Sequence, residues 1–213
     1  VLIVSRVLLT VQHIQIQGID KLYAISSLYG RYLPLLDEEE IEIAMIKANP
    51  TVETLTLTKK LPDTLVVVAK KRAAIAALEV DGGFFILSKD AVLLLKDRQP
   101  IEKTNLPKIL YYQKFNLTEY AAGESIEIKD IAVGLFFIEK IENMGILVDR
   151  LDIVSPRMLL LVSKNGKKYL FTTEKDEEIQ VEQVSLLLKK MITEKRDYNG
   201  IDVRYNKPVL QLK

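Results

Sequence analysis

An α+β protein, with a small helix-on-sheet unit followed by a strand-rich one, is what three features of the sequence predict. Between Asn49 and Ala76, two runs rich in Val, Leu and Thr, Val52–Lys59 and Thr64–Ala69, flank Leu61-Pro62-Asp63. Pro presets φ for a turn, Asp tolerates one, and β-branched residues suit the flanks, so this stretch reads as a β-hairpin. Ahead of it, apolar residues recur at helical spacing over Asp20–Leu33 and again from Asp37 to Ala48. After Ala76, short apolar runs alternate with turn signals, as in a strand-rich domain.

In chain order, residues 1–10, VLIVSRVLLT, are apolar but too short to span a bilayer alone. Val11–Gly18 alternates as a first strand, with Ile14 and Ile16 on one face. Leu22, Ile25, Leu28, Tyr29 and Tyr32 predict a helix ended by Pro34. A second helix is capped by Asp37, with Glu40 completing a capping box and Ile41, Ala44 and Met45 on its apolar face. Leu55 and Leu57 of one hairpin strand, and Leu65, Val67 and Ala69 of the other, fall on single faces.

Further along, Asp81-Gly82 marks a tight turn between Leu78–Val80 and Phe84–Leu87, and Val92–Leu95 follows as a strand. A strand is expected over Ser125–Ile128, then a helix capped by Asp130 with an Ile131, Leu135, Ile138, Ile141 stripe ending near Gly145. Phe136 and Phe137 beside that stripe read as a core-facing pair. Leu147–Val154, Met158–Ser163 and Lys168–Thr173 predict three strands, the last two joined at Asn165-Gly166. The helix after them presents Val181, Val184, Leu187, Leu188 and Met191, with acids at its start and bases at its end, as the helix dipole favours.

Composition narrows the function classes. With 48% hydrophobic and 28% charged residues, the 213-residue chain can bury a substantial core. A formal net charge of +1 gives no reason to expect nucleic acid as a partner. There is no Cys, and His13 is the single histidine, so Cys-ligated metals and Cys/His nucleophile pairs are excluded. The acids of Asp37–Glu40 belong to a helix start rather than an acid–base site. Lys70-Lys71-Arg72 is too short for a nucleic-acid patch, and Asp81-Gly82-Gly83 lacks the glycines and following helix of a phosphate loop. The sequon Asn116-Leu117-Thr118 is a three-residue match and carries no weight. No cofactor, metal or small-molecule substrate is expected.

Two motif regions resemble one family. Asn49-Pro50 before a strand, Leu61-Pro62-Asp63-Thr64-Leu65 at the turn, and Ile75-Ala76 at the end resemble the close of the POTRA domain in the bacterial cell-division proteins FtsQ and DivIB. There the turn is aromatic-Pro-Asp-x-Leu and the strand ends in Glu-x-x-Pro-x-Ala; here Leu61, Lys71 and Ala74 stand in place of the aromatic, the Glu and the Pro, as in a divergent member. Leu106-Pro107-Lys108-Ile109-Leu110 is similar to the family's Leu-Pro-x-Leu segment. Ile201-Asp202-Val203-Arg204-Tyr205 resembles its last ordered strand.

The resemblance implies a β-α-α-β-β POTRA domain at residues 11–77 and a β domain at 78–213, with 1–10 the end of a membrane anchor or juxtamembrane segment. It also implies a non-enzymatic divisome scaffold in the bacterial inner membrane, single-pass and largely extracytoplasmic. Such a scaffold binds FtsB and FtsL by edge-strand addition and links through them to the septal peptidoglycan synthase FtsW and FtsI. The residues it points to are Arg204, Tyr205, Lys207, Val209 and Leu210 in the terminal strand, with Lys189 on the preceding helix. Pro208 shifts the docking edge without removing it, since Pro is tolerated at edges.

Two rivals remain at this level. A POTRA chaperone of outer-membrane assembly or secretion would ordinarily carry several repeats and a β-barrel, whereas one repeat is read here. An extracytoplasmic hydrolase would need two carboxylates facing a cleft, for which Asp149 and Asp152 are the candidates.

Overall fold

The computed structural model describes residues 9–98, 105–155 and 157–212. The first eight residues of the expected membrane-proximal segment lie outside that set. Two compact units form, the first ending at Arg72 and the second beginning at Ala73. Together they contain three α-helices and twelve strands in two sheets among the described residues, an α+β class.

In the first unit, β1 (His13–Gln17), α1 (Glu38–Ala48), β2 (Val52–Lys60) and β3 (Thr64–Lys71) build a sheet of order β1-β3-β2. β1 runs parallel to β3, and β2 pairs with β3 as the expected hairpin, Lys60 opposite Thr64 and Leu57 opposite Val67. Alternation sends Leu55, Leu57, Leu65, Val67 and Ala69 into the core against Ile41 and Met45 of α1, while Thr54, Thr56 and Thr58 face outward. The Asp37 carboxylate accepts from the Glu40 amide at 3.1 Å and starts α1. Glu42 on the same helix accepts from the Leu57 amide at 2.6 Å, tying helix to hairpin. Gly18, at φ +88°, closes β1 against β3, and a Cβ there would overlap the carbonyl oxygen of Ala69.

The helix expected over Asp20–Leu33 does not form. Two 3-10 turns, Ile25–Leu28 and Leu33–Leu35, replace it, with Ala24 at φ 63° and Gly30 at φ 76° interrupting the backbone. The hydrogen bonds go elsewhere: Val11 donates to Arg31 at 2.9 Å, Gly30 to Val11 at 2.9 Å and Leu33 to Leu9 at 2.8 Å. Leu22, Leu28 and Leu33 still reach the core. Buried Asn49 holds this loop, its amide donating to the carbonyls of Tyr23 (3.1 Å) and Met45 (2.8 Å) and its oxygen accepting from the Tyr23 amide at 2.7 Å.

The second unit begins with β4 (Ala74–Val80), β5 (Gly83–Ser88), β6 (Leu93–Asp97) and β7 (Lys108–Tyr111). It continues through α2 (Lys129–Asn143), β8 (Val148–Ser155), β9 (Met158–Ser163), β10 (Lys168–Phe171), α3 (Glu177–Glu194), β11 (Tyr198–Asp202) and β12 (Val209–Leu212). One sheet has the order β12-β11-β10-β9-β8-β7-β4-β5-β6. β4–β7, β7–β8 and β10–β11 are parallel and the other pairs antiparallel. β7–α2–β8 and β10–α3–β11 are crossovers that step the same way along the sheet, so both helices cover one face. Beneath them lies a core of Ile131, Leu135, Ile138, Leu151, Phe171 and Val184.

Ala74, Ala76 and Ala77 already pair with Ser88, Leu87 and Ile86. These residues therefore extend the second sheet, ahead of the Leu78 boundary expected from sequence. Ser125–Ile128 is not a strand: a single bridge joins Ser125 to Val92. Asp130 does not cap α2; the cap position is Ile128, and Asp130 sits buried in the first turn, accepting from the Tyr112 hydroxyl at 3.4 Å. The aromatic pair divides, Phe137 stacking on Phe171 with centroids 4.0 Å apart and Phe136 lying partly exposed under the Lys140 ammonium. Gly134 lets α2 approach the sheet, since a Cβ would meet Leu151 Cδ2 at 2.6 Å.

Candidate functional site

The last elements of the chain form the candidate site. β11 stops at Asp202 because that carboxylate folds the next residues back on it. The Arg204 amide donates to Oδ1 at 3.1 Å, and its guanidinium adds bonds to Oδ1 at 3.0 Å and Oδ2 at 2.7 Å. Burial pushes the Asp202 pKa up, but the hydrogen bonds and charge of Arg204 outweigh it and hold the carboxyl below its usual range. The same bonds raise the Arg204 pKa, and its guanidinium lies 5.4 Å from the Tyr205 ring centroid. Arg204 and Tyr205 thus occupy a bend, not the strand that the sequence suggested.

Lys175 braces that bend. Its ammonium donates to Gln183 Oε1 at 2.6 Å and to the carbonyls of Val203 and Tyr205, each at 3.0 Å. Burial lowers its pKa, and the three acceptors satisfy its donors. Gln183 of α3 also donates to the Asn206 carbonyl at 3.4 Å. Beside the bend opens a cleft of about 520 Å³, lined by Arg157, Glu174, Lys175, Arg204, Tyr205 and Asn206. Arg157 donates to Glu174 at 2.7 Å across it.

After the bend, β12 pairs antiparallel with β11, Val209 opposite Asp202, Leu210 opposite Ile201 and Leu212 opposite Tyr198. It is the terminal strand of the sheet, so its outer N–H and C=O groups face away from β11. Val209 is 51% exposed and Leu212 44%. At the opposite edge, β6 is partly covered: Leu93 donates to Glu124 at 2.8 Å and accepts from Gly123 at 2.7 Å.

Of the six residues predicted from sequence, Arg204, Tyr205 and Lys207 share the bend, and Val209 and Leu210 follow in β12. Lys189 is not with them; six residues beyond Gln183, it stands about 9 Å further along α3, at a separate groove. Sequence reasoning missed Lys175, Gln183 and Arg157. Lys175 sits inside the charged flank Glu174–Glu178, and only the fold of the bend identifies its acceptors.

The two hydrolase candidates have different surroundings. Asp152 accepts two hydrogen bonds from Arg150 Nε, at 3.2 and 3.1 Å, and Asp149 is exposed at a register shift. His13 lies 3.7 Å from Asp63 at the surface. Among the described residues, no group of three or more His, Asp or Glu could hold a metal ion, and no helix is long and apolar enough to cross a membrane.

Known proteins resemble part of the chain. No family model matches it. It is 38% identical over 88 residues to "Cell division protein DivIB" of Clostridium botulinum (strain Loch Maree / Type A3), covering 41% of this chain and 33% of that protein. The protein of the same name from Clostridium botulinum (strain Hall / ATCC 3502 / NCTC 13319 / Type A) is 36% identical over 88 residues, with the same coverage. The matched part therefore spans about a third of the length of these relatives.

Proposed function

We propose that the chain is a divergent member of the DivIB/FtsQ cell-division family, a reading supported by the two relatives it resembles over 88 residues, and that it is a non-enzymatic scaffold of the division septum. Its partners are FtsB and FtsL, bound directly, with FtsW and FtsI reached through that complex. An N-terminal helix anchors it in the cytoplasmic membrane, and the two units work on the extracytoplasmic side, the first as the POTRA domain.

One observation carries this reading: the second sheet ends in a short, half-exposed strand, β12, held beside a braced bend. An extended partner segment can continue the sheet there, using main-chain hydrogen bonds for affinity and side chains on alternate positions for specificity. Val209 and Leu212 supply apolar surface, while Tyr205 and Lys207 flank the entry. Because Lys175 and Asp202 fix the bend in advance, little of the binding free energy is lost to ordering it.

The test is titration of the soluble chain with the extracytoplasmic segments of FtsB and FtsL from the same organism. Tyr205→Ala and Val209→Asp should each weaken binding by about tenfold or more while circular dichroism stays unchanged. Undiminished binding by both folded variants would move the interface away from β12.

A further inference from the structure

A second groove lies where α3 ends, distinct from the cleft at the bend. It has a volume of about 590 Å³, within the range of ligand pockets, and an apolar floor of Met144, Ile146, Leu188 and Met191. Tyr198 of β11 forms one wall. All four charged residues lining it, Lys167, Lys189, Lys195 and Arg196, are cations. Lys167 pairs with Asp197 at 3.1 Å and Arg196 with Glu194 at 3.5 Å, while among the described residues Lys189 and Lys195 form no ion pair.

Cations at a helix C-terminus complement its dipole, which accounts for their sign. The dipole does not account for the apolar floor, nor for Ile192, which lines the same groove and is 77% exposed. An apolar floor under a cationic rim fits a segment carrying acidic side chains beside apolar ones. Position selects where that segment comes from. Tyr198 pairs in register with Leu212, so a chain added along β12 leaves its Leu212 end next to the wall of this groove.

We infer that the groove receives an acidic, apolar-faced segment of the partner chain that adds to β12, namely the residues flanking its added strand at the Leu212 end. This rests on the strand-addition reading above and extends it, giving the partner two anchors joined by a short connection. Such linkage raises affinity through effective concentration.

Lys189→Glu combined with Lys195→Glu reverses the rim charge at two exposed positions without touching the floor. Titrated with the FtsB and FtsL segments, this double variant should bind about tenfold more weakly, with a shallower salt dependence. Trimming the partner residues that flank the strand on the Leu212 side should weaken binding to the parent chain and remove the difference between parent and variant. If the double variant binds like the parent while Val209→Asp does not, the groove assignment falls and strand addition stands. If the parent binds neither segment, both fall. A charge-reversal effect that persists with the trimmed partner overturns the groove contact in favour of long-range steering. Flotation with phosphatidylglycerol vesicles that depends on Lys189 and Lys195, with segment binding unchanged, overturns it in favour of a lipid surface.

Discussion

Asp202 ends a strand because its one carboxylate serves both the amide and the guanidinium of a residue two positions on. Its lowered proton affinity has a definite sign. The pairing contributes in full above the ordinary carboxyl pKa of about 4, and is lost as pH falls from there through the lower folded-state value. Asp202→Asn should therefore destabilise the second unit by about 1.5 kcal/mol at pH 7. The gap to the parent should narrow in urea titrations as pH falls below the ordinary carboxyl range; a constant gap would mean that the carboxylate charge is not what matters. Lys175→Met tests the brace from the other side. Removing the donor leaves the carbonyls of Val203 and Tyr205 without it, and amide exchange over residues 203–209 should rise by at least tenfold while β8 and β9 stay protected.

At the scale of elements, local signals succeed where the partner group is close in sequence. Asp37 and Asp176 each accept from an amide three residues on, Glu40 at 3.1 Å and Ile179 at 2.9 Å, and each replaced by Ala should cost about 1 kcal/mol in chemical denaturation. The segment Asp20–Leu33 shows the reverse. Its helical spacing of apolar residues is real, and Leu22, Leu28 and Leu33 are buried, but its backbone pairs with Leu9 and Val11 instead of with itself. Asp130 likewise resembles a cap in sequence, yet a helix begins where its first amides find acceptors, and here Ile128 accepts from Ile131 and Ala132. Gly18→Ala should destabilise the first unit by more than about 2 kcal/mol, because a positive φ and the Ala69 carbonyl both oppose a side chain. A thermal midpoint unchanged by that substitution would refute the close approach of β1 to β3.

At the scale of the molecule, the two cores share no residue. Truncations in each should be felt separately. Leu65→Ala should lower protection from exchange in the first unit, and Phe137→Ala in the second, by about 3 kcal/mol each. Loss of protection across both units from either change would show one cooperative system. The long sheet also has two unequal edges. Loop 123–126 lies along part of β6, whereas β12 ends the sheet beside a bend tied to α3. On the proposed reading, the presented edge at β12 is where a strand would add to this sheet.

Alternation and turn chemistry determined the β2–β3 hairpin, the Asp81-Gly82 and Asn165-Gly166 turns, strands β4 to β6 and β8 to β10, and the helices α1 and α3, since those signals act between residues near in sequence. The segments 49–76 and 201–205 also carried the family resemblance by themselves. Only the tertiary structure decided that Arg204 and Tyr205 leave the strand, that Lys175 holds the carbonyls of Val203 and Tyr205 from 28 and 30 residues away, and that Lys189 belongs to a different groove. Those outcomes depend on which distant carbonyls and apolar faces the sheet order brings together. No periodicity records that, because the acceptors are backbone atoms identical at every position in the sequence.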